Sequence, residues 1–207
     1  VTTAPTQRRE PTQARSRQTV TRILDAAAAI VDEHGVDAAT TRTIADRAGV
    51  AYPSLYRFFA DRDEILDRLL ERHLTDIDAR AEAAERTWDI GSIWDLVNAE
   101  LELHIAYYRE HPSAARLWMG GRHSTAVVNQ VRARMLTLAQ RIHDRLVDAH
   151  LISDDVDPLA VLVAVEIADR ILELAYRGGH DFDEAILEHG RRALLAYCHD
   201  LGNARSK

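Results

Sequence analysis

From Ser16 to Leu201 the apolar residues return at every third or fourth position, and no stretch alternates apolar with polar residues as a strand would. Val20, Ile23, Leu24, Ala27, Ile30 and Val31 set the pattern. The 207 residues contain only 9 Gly and 5 Pro, so little interrupts it. A chain with this period throughout can bury its apolar stripes only by packing helix on helix. The expected fold is all-α, with about nine helices and no internal repeat.

The punctuation supports that division. Gly35 follows "EHG" as a C′ glycine, and Thr40 or Thr41 can cap a short helix over "TRTIADRAG" that Gly49 ends. A second short helix is expected across "YPSLYRFF", with Pro53 in its first turn, where a missing N–H does no harm. Asp61 then caps a long helix running to about Arg86, and Glu64 completes a capping-box-like pair. Further helices are expected over residues 92–110, from Pro112 to Gly120-Gly121, over 124–150, and from Leu159 to a stop at Gly178-Gly179. The last should run from Phe182 to Leu201.

Charge is unevenly spread along this framework. The net charge is −7, which by itself disfavours an acidic partner. Residues 1–62 nevertheless carry +2, and the first 24 carry +4 through Arg8, Arg9, Arg15, Arg17 and Arg22 against Glu10. Such asymmetry suits a nucleic-acid-facing front on an acidic body, although a solvated charge fluctuation gives the same numbers. Hydrophobic residues at 46% suffice for a core, and no apolar run reaches the length of a membrane span. The start "VTTAPTQRRE" has no signal-peptide core, and the single cysteine, Cys198, has no partner for an internal disulfide. With no Cys/His spacing suited to zinc, the expectation is a cytoplasmic protein with no metal, no cofactor and no membrane partner.

The two short helices meet the requirements of a helix-turn-helix. Ile44, Ala48, Val50, Leu55 and Phe58 supply the contacts between them, and Ala45 is small where the second helix must cross. Gly49 supplies the left-handed turn. The unit presents one short helix proud of the surface, where the major groove can admit it.

Residues 22–66, "RILDAAAAIVDEHGVDAATTRTIADRAGVAYPSLYRFFADRDEIL", resemble the N-terminal domain of the TetR family of transcriptional regulators, with "IADRAGV", "LYRFF" and "DRDEIL" in register. The resemblance implies a disordered basic arm over residues 1–15, a DNA-binding domain over 16–62, and an effector-binding and dimerisation domain over 63–207. It implies phosphate contacts from Thr40, Thr41, Tyr56 and Arg62, the last standing where lysine is commoner. It implies base-edge contacts from Arg42, Thr43, Tyr52, Pro53 and Ser54. Two positions depart from the pattern: Ala51 lacks the usual capping oxygen, and Pro53 stiffens the helix start. Arg15 and Arg17 can add phosphate or minor-groove contacts, or form a basic tail with no fixed partner.

An effector requires a cavity lined by apolar groups with a few polar ones. The candidates are Trp88, Trp94, Tyr107, Tyr108, Trp118, Met119 and Met135, each of which would serve equally as core. His104 interrupts "LELHIAYY", and Glu166, Asp169 and Arg170 interrupt the most hydrophobic helix. A charge on a buried helix needs a partner or ligand; alternatively Glu166 and Arg170 pair at i,i+4 on a solvated edge or a subunit interface. The implied partners are a double-stranded DNA operator, a second copy of the chain and an unknown, partly apolar small molecule. Leu159, Leu162, Val163, Ile167 and Leu174 with Ile186, His189, Leu194 and Tyr197 are the expected dimer contacts. The chain has neither E-x-x-H pairs nor H-E-x-x-H, and no enzyme signal. A helical adaptor that uses the same turn for protein contact is the competing class.

Overall fold

Several helices of this chain begin at a side-chain oxygen that accepts from backbone N–H groups left over in the first turn. The computed structural model describes residues 9–120, 124–177 and 181–203. Those residues form α1 (Arg9–His34), a 3-10 turn (Val36–Ala38), α2 (Thr41–Ala48), α3 (Tyr52–Leu55), α4 (Arg62–Glu85), α5 (Ile93–Glu110), α6 (Pro112–Gly120), α7 (Thr125–Asp148), α8 (Pro158–Ala175) and α9 (Glu184–Asn203). The fold is all-α, with no strand among the described residues. Oxygens of Ser92, Ser124 and Asp157 cap α5, α7 and α8. Gly49 sits at φ 62° and closes α2, a conformation a Cβ would resist. At α4, Asp61 Oδ1 accepts from Glu64 N at 2.9 Å, while the Glu64 carboxylate accepts from Ala60 N rather than from the cap residue.

Two expectations change. Residues 9–15, placed in a disordered arm, belong to α1. Arg, Gln and Ala favour the helix there, and Pro11 falls in the first turn, where no intrahelical N–H is required. The recognition helix is shorter than expected, because α3 ends at Leu55 and the chain continues in tight bonds such as Phe58 N to Leu55 O at 2.9 Å. Ala51 gives α3 no side-chain cap and Pro53 no N–H, so little holds a longer regular helix. Residues 1–8 of the arm, and Gly121, Gly178 and Gly179 as expected stops, lie outside the described residues.

The chain divides into two compact units, Val1–Arg72 and His73–Lys207. In the first, Ile23, Ala27 and Val31 of α1, Ile44 and Ala45 of α2, and Leu55 of α3 are completely closed to solvent. Phe59, Ile65 and Leu69 are buried with them, whereas Phe58 and Val50 are only half-buried. In the second, α8 packs on α7 and α9, and α5 packs on α6 and α9. Its core holds Leu101, Ile105, Tyr107, Leu172, Tyr176 and Leu187. Gly190 permits the α8–α9 approach, since a Cβ there would lie 2.3 Å from Ile171 Cγ2.

Candidate nucleic-acid interface and internal cavity

The first turn of α2 is held by a reciprocal pair of threonines. Thr40 Oγ1 accepts from Thr43 N at 3.1 Å, and Thr43 Oγ1 accepts from Thr40 N at 2.9 Å. Thr43 Oγ1 also lies 2.8 Å from Ala38 O, so its hydroxyl serves the backbone rather than pointing freely outward as a base reader would. Thr40→Ala should therefore lower the stability of the first unit by about 1 kcal/mol. A urea midpoint equal to that of the wild type would show that water replaces the cap.

Beside this cap an exposed row of hydroxyls forms. Tyr52 and Tyr56, four residues apart and so on one face, are 45% and 46% exposed. Their rings meet edge to face with centroids 5.3 Å apart, and their hydroxyls are 2.7 Å apart. Thr41 Oγ1 stands 3.4 Å from the Tyr52 hydroxyl. Those two hydrogen bonds, that with Thr41 first, hold the Tyr52 phenol below its ordinary pKa. Arg42 and Pro53 are exposed around the row, and Ser54 is half-buried. Large aromatic groups left in water on so small a unit are an invitation to a partner.

Arg62, expected to hold a phosphate, makes two bonds within its own unit. Its Nε donates to Ala39 O at 2.7 Å and its Nη2 to Val36 O at 2.6 Å. The planar guanidinium thus fastens the start of α4 to the carbonyls ahead of α2, and two of its donors are already spent.

The second unit contains a cavity of ≈ 100 Å³ walled mainly by apolar side chains of α5, α7 and α8. Of the ten effector candidates, His104, Tyr108, Trp118 and Met135 line it. Trp88 instead packs beside Leu96, Leu146 and Ile152 with the Arg145 guanidinium over its ring, and Trp94 is 47% exposed. Tyr107 is buried in the core, where its hydroxyl meets His73 Nδ1 at 3.0 Å, and Met119 packs against the same core. Glu166 and Arg170 are exposed, and Arg170 pairs with Glu173 rather than with Glu166. The charged residue of α8 that reaches the cavity is Asp169, which accepts from Trp118 Nε1 at 2.8 Å. Among the expected dimer contacts, Leu159, Val163 and Leu174 are exposed, whereas Leu194 is buried within the chain and Tyr197 bonds to Ala160 O.

The polar wall has a definite character. His104 Nδ1 donates to Glu100 O at 2.8 Å, and burial pushes this imidazole down to about 4, so it is neutral with Nε2 left as an acceptor. Burial also raises the Tyr108 hydroxyl and the Asp169 carboxyl, the latter against the Trp118 bond. Arg134 is engaged by both oxygens of Asp78, at 2.9 and 2.8 Å. Glu100, which sequence reasoning passed over, is pushed up to about 7 by burial and by the facing Glu85 carboxylate, with Arg141 and Arg145 opposing. No signal marked it, since an acid on an amphipathic helix ordinarily faces water. Among the described residues no group of His, Cys, Asp or Glu is arranged to hold a metal ion, and no helix is long and apolar enough to cross a membrane.

These two features agree with what the chain resembles. Residues 23–69 match the family described as bacterial regulatory proteins, tetR family, and residues 91–200 match the tetracyclin repressor-like C-terminal domain. A TetR-family transcriptional regulator of Streptomyces coelicolor superposes with a TM-score of 0.66 at 31% identity, covering 88% of this chain and 99% of that one. The HTH-type transcriptional repressor KstR of Mycobacterium tuberculosis is 43% identical over 61 residues, 30% of this chain and 28% of KstR, so that match spans under a third of the relative. The A-factor receptor protein of Streptomyces griseus is 25% identical over 199 residues, 90% of this chain and 66% of the relative. A helix-turn-helix unit with an exposed hydroxyl face, an all-helical second unit around a cavity, and matches to both parts show that the chain belongs to the TetR family of DNA-binding transcriptional regulators.

Proposed function

We propose that the protein is a homodimeric repressor that reads a two-fold symmetric operator and releases it when a small, partly apolar molecule enters the cavity. The observation that carries this reading is the cavity itself, an apolar chamber with a few polar groups inside a DNA-binding family member. A relative named as a receptor, aligned along nearly the whole chain, supports it. So does the apolar edge of α8, where Leu159 is 61% and Val163 46% exposed, a surface that a second copy would cover. One short recognition helix reads too few base pairs for useful selectivity, and a pair on a two-fold axis reads a palindrome.

The coupling we propose runs along α4. Its last residue, Glu85, is tied to α7 by Arg145 Nη2 on its carbonyl at 2.7 Å and by Arg141 at 3.0 Å from its carboxylate. A ligand that moves these walls moves the end of a helix whose other end starts at Arg62. Its place of work would be the cytoplasm.

Selection from random duplex DNA should yield a palindrome, and a metabolite panel should contain a compound that weakens the complex. Tyr56→Phe, which keeps the ring and loses the hydroxyl, should reduce operator affinity about tenfold without altering the dimer. Enrichment of no sequence at all would remove the operator reading and favour a protein-contact role.

A further inference from the structure

Building on the reading of the cavity as an effector site, we propose that it takes an apolar molecule bearing a protonated amine, whose ammonium group is held by the Glu100 carboxylate. Glu100 lies in the cavity wall, and both of its carboxylate oxygens are buried without a hydrogen-bond partner. A buried carboxylate left in that condition is costly unless a proton or a cation supplies what is missing. The rest of the polar wall also offers acceptors. Asp169 presents a second carboxyl, and neutral His104 keeps Nε2 as an acceptor because Nδ1 is committed to Glu100 O.

Anionic ligands find no comparable welcome. Arg134, the one arginine or lysine among the described lining residues, is clasped by Asp78. Arg141 retains Nε and Nη2 without hydrogen-bond partners, but it faces Glu85 at 3.0 Å and stands outside the lining. Apolar residues of α5, α7 and α8, among them Leu101, Leu138 and Val165, make the remaining wall, so the body of the ligand is hydrocarbon-like.

The empty site answers the same demand with a proton. Glu100 is raised to about 7, so below neutrality a proton sits on its carboxyl. The groups facing it are Glu85 from α4, His104 on its own helix, and Arg141 and Arg145 from α7. When the ammonium arrives, its N–H groups donate to the Glu100 oxygens, and the displaced proton passes to solvent. Because binding requires the ionised carboxylate, affinity for an amine should climb as pH rises towards about 7 and level off above it.

The test compares octylamine, octanol and octanoate by titration calorimetry on the full chain, in buffers of different ionisation heat. Octylamine should bind at least tenfold more tightly than either of the others, with proton release that fades above neutral pH. Glu100→Gln should remove the advantage of octylamine over octanol and abolish the proton release, with a cooperative melt as the check that the variant is folded. Octylamine binding no better than octanol, or octanoate binding best, overturns the amine assignment and leaves the effector cavity standing. Octanol binding undiminished in an Ala168→Phe protein, whose cavity is filled, would instead remove the cavity reading on which this inference rests.

Discussion

Replacing Leu159 and Val163 together by aspartate should halve the mass of the protein in solution and abolish tight operator binding. Leu159, Val163, Glu166, Arg170 and Leu174 are spaced by four, three, four and four residues, and all five are exposed. They therefore form one stripe on α8, opposite to the residues that face α7 and α9. A Leu or Val side chain taken from water contributes about 1.5–3 kcal/mol. On a two-fold interface each substitution counts twice, so the pair would remove about 6–12 kcal/mol and add four facing charges. Glu166 and Arg170, weighed in the sequence as cavity groups or as an exposed pair, lie on this stripe, so a second copy covering it would cover them too. Analytical ultracentrifugation with a gel shift checks the result. A double variant that stays dimeric and binds DNA at full strength would place the interface elsewhere.

The second large effect is expected from Arg62→Ala. The substitution leaves Val36 O and Ala39 O without the charge-assisted bonds they now receive, at a cost of about 1–3 kcal/mol to the first unit. In a unit of this size each kcal/mol moves the melting midpoint by roughly 4–8 °C. Arg62→Lys should recover only part of the loss, because an ammonium cannot serve both carbonyls with the fork of a guanidinium. Salt dependence separates this role from the phosphate role implied by the sequence resemblance. A lost phosphate contact would flatten the slope of log K against log salt by about 0.9 per protomer, whereas a lost tie within the fold leaves the slope alone. A flattened slope with an unchanged melting midpoint would restore Arg62 to the DNA surface.

Local chemistry made most of the helical framework readable in advance. Thr40, Gly49 and Asp61 act on backbone groups within a few residues of themselves, so their effects need no knowledge of the fold. The cavity was only half legible for the opposite reason. Helix α8 is apolar on more than one face, and periodicity cannot say which of its charged positions turns inward. Glu166 and Arg170 share a face at i,i+4, while Asp169 lies about a sixth of a turn from Glu166 and just over a quarter-turn from Arg170 and reaches Trp118, 51 residues earlier in the chain. Glu100 was invisible because its environment is made by α4 and α7, not by its neighbours in sequence. The two bonds that Arg62 makes within the fold were invisible for the same reason, since its acceptors lie 23 and 26 residues back.

The row of hydroxyls on the first unit carries one more consequence. Thr41, Tyr52 and Tyr56 own one hydroxyl hydrogen each, and the two contacts joining them consume two of the three. One hydrogen remains to point outward, and the direction of the row decides from which end. If Tyr56 donates to a phosphate, Tyr52 turns towards Tyr56 and Thr41 towards Tyr52, and Thr41 then shows DNA only lone pairs. If Thr41 donates, the whole row reverses. With the row intact, its two ends cannot both grip phosphate oxygens, so a strand of DNA laid across this face meets a polarity that it sets itself at the first contact.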